Sequence, residues 1–527
     1  MLANAIPALA LVIPVLGVLI ELVFGRGDGS WRTTTRRVVV GAYLIVTLVG
    51  SAWPQVGGGQ ALGGLDWNWA PGLDFVLSWQ FTPVHCAVLA LSCFAWWSAL
   101  HGASARVAFG ANGLQLALTS ALTAGDLLVA VASLILLASF GIATGSAGAA
   151  VGRRSAARLG RASTLEWAIA SAAGISLCIS VGLATHVATH HVWYYDWIEL
   201  ESITFPPGVQ QQGVVLVLLC VAPFVGLLPF GGASLRLGES LGSRGVHWRS
   251  AAPLAGAAVW SQSLRSLAPR TGVDWAHWLI AAFIISSWLR VRMARGRQAR
   301  ASGRAPTPAR VGGTGGTDAL TPLLLGGGIL ALGSEWGSYA LWLAMAAHLC
   351  QQALDLRAST LSRYLSAGAP GSVSFAALAA SWVAMHEGVA LLEPELALWL
   401  GAGMALPLVA GLPRLFAPRQ REREMSASAS WRALTAASLV LGLFPMTLLE
   451  ALAPLEPTRA SEYLLLRCGD LELVDLRRPR LRSELRLGCS DPVAELEAAF
   501  DPEPATPLPA PVTTTELYSE LPAEVAP

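Results

Sequence analysis

Residues 214–240 read VVLVLLCVAPFVGLLPFGGASLRLGES, and the run they open continues to Leu267. The stretch is apolar enough for a membrane helix, yet it carries Pro223 and Pro229 inside it and glycines at Gly226, Gly231 and Gly232. Proline removes a backbone donor and collides with the preceding turn, so the run predicts a helix kinked or broken at membrane depth. Broken backbone is tolerated there only where protein or water satisfies the freed carbonyls. Such a break is either a packing kink or part of a transport site built from a discontinuous helix. Sequence alone leaves both readings open.

Outward from this stretch the chain repeats the same character. Of 527 residues, 54% are hydrophobic and only 13% charged, against about 25% charged in soluble proteins. The expectation is an all-α polytopic membrane protein. Runs of spanning length fall at 3–24, 37–53, 80–99, 105–124, 126–147, 165–187, 212–232, 251–268, 275–292, 318–334, 338–355, 373–391, 396–413 and 431–452, about fourteen spans. The first run lacks a basic leader and a small-residue cleavage site, so it reads as a retained span.

Arginines alternate between the loops. They cluster after the first run (Arg26, Arg32, Arg36, Arg37), the fifth (Arg153, Arg154, Arg158, Arg161), the ninth and the thirteenth; the loop after the sixth has none. The positive-inside rule then puts both termini outside, and the expected location is a bacterial inner membrane. Residues 1–454 form the expected membrane domain, 455–500 a small polar extracytoplasmic segment, and 501–527 a proline-rich acidic tail expected to be disordered.

The chain contains no lysine; all 35 basic residues are arginine. Arginine stays protonated at physiological pH, so no basic side chain of the lysine type is available to pass protons. Five cysteines lie in apolar runs, where cysteine acts as a small apolar residue. Cys468 and Cys489 lie in the tail, either as a disulfide or as two thiols. No spacing suggests a metal site, a cofactor, a soluble catalytic constellation or a nucleic-acid surface. The twenty tryptophans sit mostly near run ends, as an aromatic belt.

Taken in order, these features resemble the antiporter-like membrane subunits of respiratory complex I and of multisubunit cation/proton antiporters. Residues 414–454, RLFAPRQREREMSASASWRALTAASLVLGLFPMTLLEALAP, are similar to that family's last loop and final helix. LALVIPVLGVLIEL resembles its first helix, PGLDFVLSWQFTPVHCAVLAL the entry to its third, GDLLVAVASLILLASFGIATG its fifth, PFVGLLPFGG its broken seventh, and MAAHLCQQAL the helix bearing a central histidine. The resemblance implies two inverted repeats with broken helices, a role in proton or cation translocation or in assembly, and other membrane subunits of a multisubunit complex as partners. It implies no cofactor and no catalysis by this chain alone, with an enzyme role only as part of an NADH:quinone oxidoreductase-like complex.

The family's charged relay does not carry over position by position. The place of its glutamate falls near Ile135, that of a lysine near Phe224, that of a histidine near Val259 or Trp260, and a further lysine position is Gln352. A retained ionisable group at membrane depth is a functional candidate by default. The candidates for a shifted path are His348, Asp355, His386 and Glu387, with Pro223, Gly226 and Pro229 at the broken helix. Asp126 and Glu166 are expected to cap helices, and Glu21, His85 and His277 to reach the interface. Two rival readings are a stand-alone secondary ion transporter and the membrane subunit of an inorganic-carbon uptake complex.

Overall fold

The structure, a computed structural model, describes residues 2–24, 29–56, 62–70, 75–148, 153–188, 193–197, 200, 203, 205–227, 245–267, 323–326, 335–355, 361, 364–365, 368–387, 400–401, 404 and 429–445. The main helices there are α1 (Leu2–Phe24), α2 (Gly29–Ser51), the short α3 (Trp53–Val56), α4 (Pro83–Leu100), α5 (Ala105–Leu122), α6 (Leu127–Gly148), α7 (Arg153–Ala188), α8 (Pro207–Val225), α9 (Val246–Leu267), α10 (Glu335–Asp355), α11 (Val373–Glu387) and α12 (Ala429–Leu443). Among the described residues five helices, α1, α4, α6, α7 and α8, are long and apolar enough to cross a membrane. The expected spans 275–292 and 396–413, most of 318–334, and the tail with Cys468 and Cys489 lie outside the described residues or nearly so.

Two differences from the expectation have plain causes. The chain is mostly helical rather than all-α, because Gly64–Ala70 (β1) and Phe75–Gln80 (β2) pair as an antiparallel hairpin. Their composition, GLDWNWA against FVLSWQ, places aromatic and apolar residues opposite one another, as in Leu65 with Trp79 and Trp67 with Leu77, which favours strand pairing. Second, α7 starts at Arg153, twelve residues before the apolar run. Glu166 therefore lies inside a helix and does not cap one.

The hairpin leads into α4 through Thr82, whose hydroxyl accepts from the His85 N–H at 3.2 Å, with Pro83 at the first helical position. Both are standard helix-start chemistry. The hairpin is then stitched to two further segments. Gln80 N donates to Thr123 O (2.6 Å), Gly125 N to Ser78 O (2.8 Å), Leu127 N to Tyr195 O (2.9 Å) and Trp197 N to Gly125 O (3.2 Å). The β-hairpin, the α5–α6 turn and the loop after α7 thus share one backbone network at one end of the bundle.

At the opposite end of α4 a side-chain tie holds the helices. Arg36 on α2 donates from Nε to Glu21 Oε1 on α1 (2.5 Å) and from its NH2 nitrogen to Oε2 (2.9 Å), and its NH1 nitrogen reaches the Ala103 carbonyl at 2.8 Å. Both side chains are buried. The sequence placed Glu21 at the interface; the structure buries it, because a guanidinium can answer both carboxylate oxygens in parallel.

Helix α5 is the hub. It packs on α1, α4, α6 and α9, and nearly every residue of it is buried. Glycines set its approach to α6. A side chain at Gly113 would run into the Phe140 ring, and one at Gly110 into Thr144. Small residues at such crossings let membrane helices come close.

Candidate functional site

The helix that carries Pro223 runs through it and ends just beyond, at a glycine. Helix α8 contains Pro223 and ends at Val225, where Gly226 takes a left-handed conformation (φ 70°, ψ 38°) and its N–H bonds to Ala222 O. Leu227 N returns to the same carbonyl at 2.8 Å. Glycine adopts this conformation without the Cβ penalty. Pro229, Gly231 and Gly232 lie outside the described residues.

His348 sits on α10 and is buried, 1% exposed. Its Nε2 lies 2.9 Å from the carbonyl oxygen of Arg249, in the first turn of α9. A ring nitrogen facing a carbonyl carries the proton, which makes Nε2 the donor here. Asp355 closes α10 and Glu387 closes α11; their side chains are outside the described set. Helices α10 and α11 pack side by side, yet His386 is exposed. Of the four path candidates, the structure buries His348 and turns the His386 ring outward.

Apart from Gln352, the positions where the resemblance would place charges hold packed apolar groups. Phe224 is buried against Trp167, ring centroids 5.0 Å apart, and Trp167 meets Trp248 edge-on at 5.5 Å and 89°. Gly141 on α6 faces the Trp248 ring, which a side chain there would strike. Val259 and Trp260 are buried, Trp260 donating to Leu325 O at 3.3 Å, and Ile135 is partly buried. Aromatic packing of this kind excludes water and needs no counter-charge.

Polar groups collect elsewhere, along α5. Asn112, Gln115, Thr119 and Thr123 recur three, four and four residues apart, on one face, as the helical repeat dictates. Asn112 Oδ1 accepts from Trp96 Nε1 (3.0 Å), Gln115 Nε2 donates to Ser92 Oγ (2.8 Å), and Thr119 Oγ1 lies 2.6 Å from Tyr43 OH. Ser133 on α6 donates to Ser120 Oγ at 2.8 Å, and Trp79 Nε1 donates to the same hydroxyl at 2.8 Å. Sequence reading passed over this face because α5 has no charge beyond Arg106. The signal was present in the spacing N-x-x-Q-x-x-x-T-x-x-x-T.

Asp126 stands where this face meets the stitched end. Its Oδ1 accepts from Val129 N (2.7 Å), capping α6 as the sequence suggested, and its Oδ2 accepts from Ser78 N (2.6 Å) on the hairpin. Burial pushes its carboxyl from 3.8 up to about 7, the nearby Asp196 adds to the rise, and the backbone donors at Val129 and Ser78 oppose it. Among the described residues no three His, Cys, Asp or Glu side chains gather as metal ligands.

No protein-family profile and no curated protein matches the sequence. Solved structures match it in shape. A chain of respiratory complex I from Thermus thermophilus with bound NADH superposes with TM-score 0.62 at 13% identity, over 86% of this chain and 98% of that one. A chain of the membrane-bound sulfane sulfur reductase, an archaeal respiratory membrane complex, gives 0.61 at 14%, over 85% and 96%. A chain of the Mrp complex from a Dietzia species gives 0.61 at 16%, over 88% and 100%. The protein has the fold of these three chains.

Proposed function

We propose that this chain is an antiporter-like membrane subunit of a multisubunit complex of the complex I or Mrp type, working in proton or cation translocation. The observation that carries this is the extent of the likeness: nearly the full length of chains from three such complexes is matched. On this reading the chain has about fourteen spans arranged as two inverted repeats, each with a broken helix, and lies in a bacterial inner membrane with both termini outside. Its partners are neighbouring membrane subunits, and redox or other driving chemistry belongs to another chain.

Phe224, where the resemblance would put a lysine, packs instead in an aromatic cluster with Trp167 and Trp248, which favours a path that does not run through it. His348, with Asp355 on the same helix and His386 and Glu387 on the neighbouring α11, is the shifted path on the C-terminal side. An imidazole can both take and give a proton, and α9 supplies the carbonyl that orients this one.

Affinity purification of the full chain in mild detergent, with mass spectrometry of what accompanies it, tests the proposal. Co-purifying membrane paralogues with quinone-reductase or hydrogenase-like subunits are the expected result. The termination of α8 at Gly226 favours one second reading, a stand-alone transporter whose site is the broken helix. A chain recovered alone or as a homo-oligomer would establish that rival in its place, and a large zinc-binding partner would instead indicate inorganic-carbon uptake.

A further inference from the structure

Arginines at the end of a membrane helix often do no more than set its orientation, with water around them. The arginines at the end of the bundle that carries the Glu21–Arg36 pair differ in two ways. The first is their balance. Among the described residues there, Arg32, Arg36, Arg37 and Arg106 stand against one carboxylate, Glu21, and Arg36 takes both oxygens of that carboxylate. Arg26 and Asp28, in the sequence between α1 and α2, cancel one another. The second is Arg32. It is half-buried, and its Nε is closed to water without a hydrogen bond to any described residue. A buried guanidinium nitrogen left unanswered is costly, and arginine answers phosphate through neighbouring N–H groups in parallel.

The bond from Arg36 to the Ala103 carbonyl fixes where the free charges lie. Arg32 is one turn before Arg36 on the same side of α2, about 5–6 Å away. Arg106 is three residues beyond Ala103, exposed in the first turn of α5. The two guanidiniums thus flank a contact whose own charges are already matched. Arg37, also exposed, is turned about 140° from Arg32 around α2 and belongs to another face.

Depth and surroundings choose the ligand. Trp31, beside Arg32, is half exposed and meets Phe24 at the end of α1 edge-on, ring centroids 5.5 Å apart. Exposed aromatic residues at a helix end sit at headgroup level. From there exposed Val23, Leu19, Leu16 and Val12 run away along α1, four, three and four residues apart on one face. On α2, Val38 and Ile45 are exposed with Gly41 between them, where a side chain would meet nothing within 4 Å. A soluble phosphate would use the arginines alone; a phospholipid uses the charge and the apolar stripe together.

We infer that Arg32 and Arg106 hold the phosphate of an anionic glycerophospholipid whose acyl chains lie along the exposed stripe of α1. Basic pockets between membrane helices bind anionic headgroups in this way. A zwitterionic lipid brings its own cation to the phosphate and gains far less from two unpaired guanidiniums. The bound lipid braces α2 against the start of α5, beside the Glu21–Arg36 pair.

Thermal unfolding of the full chain, stripped of lipid in mild detergent and then given phosphatidylglycerol or phosphatidylcholine, tests this. A ligand bound only by the folded state stabilises it, so phosphatidylglycerol should raise the midpoint by several degrees and phosphatidylcholine should not. Arg32→Gln and Arg106→Gln should each remove most of that shift, measured against the variant's own lipid-free midpoint. Arg37→Gln takes away the same charge from another face and should keep the shift. No shift in the wild type overturns the site, and so does a shift that Arg37→Gln reduces as much as the other two, which is diffuse attraction. An equal shift from soluble glycerol phosphate overturns the lipid as occupant. Where a variant is too unstable for the scan, mass spectrometry of co-purified lipid decides: phosphatidylglycerol retained as in the wild type overturns the site. No arm depends on partner subunits, so this result and the co-purification can fail separately.

Discussion

Glu21 and Arg36 are a buried pair whose two charges answer each other with parallel hydrogen bonds. Removing one partner strands the other, a loss of about 3–5 kcal/mol. Glu21→Gln should therefore lower the thermal unfolding midpoint in detergent markedly, and the double variant Glu21→Gln with Arg36→Gln should recover much of it. A double variant no better than the single one would mean that the Arg36 bonds to the α4 end matter more than the pair. Asp126 gives a different signature. Its carboxyl is held up to about 7, so the folded state binds a proton that the unfolded chain releases near 4. That contribution is full below the unfolded value and is lost as pH rises through 7. Stability should fall between pH 4 and pH 7, by on the order of a few kcal/mol, and Asp126→Asn should flatten that slope in thermal scans. The sequence foresaw Asp126 as a helix cap because its position before an apolar run is a local signal. It did not foresee the bond to Ser78, forty-eight residues away, which depends on a hairpin that the helical composition around it concealed.

At the scale of elements, glycine placement fixes how closely helices meet. Gly113→Ala would press a methyl into the Phe140 ring, overpacking of a kind that costs about 1–3 kcal/mol; the midpoint should drop without loss of helical content by circular dichroism. Gly226→Ala puts a Cβ into the left-handed region, at a cost of about 1–2 kcal/mol, and should extend or distort the end of α8. Helix existence was largely legible in the apolar runs: α1, α4, α5, α6 and α10 begin and end within three residues of their expected bounds. The start of α7 was not, because its polar N-terminal residues carry no apolar period. The α5 face was readable in principle, yet hydropathy averages bury a four-residue polar period in the leucines and alanines around it.

For the whole molecule, the candidate site was the least legible part. His348 could be picked out because ionisable groups are rare at membrane depth. That His386 turns outward and that His247 faces α5 are facts of packing, which no run of sequence states. In membranes containing the complete complex, His348→Ala and Glu387→Ala should each lower proton translocation while leaving assembly intact; unchanged pumping in both would remove the shifted path. The two ends of the bundle also differ in kind. At the hairpin end, main-chain hydrogen bonds join three segments, and no rotamer change can release them. At the other end of α4 the tie described is a pair of side chains, which a rotation about a few single bonds undoes. Parting the segments at the hairpin end would therefore need backbone movement, whereas at the arginine end only side chains would have to move.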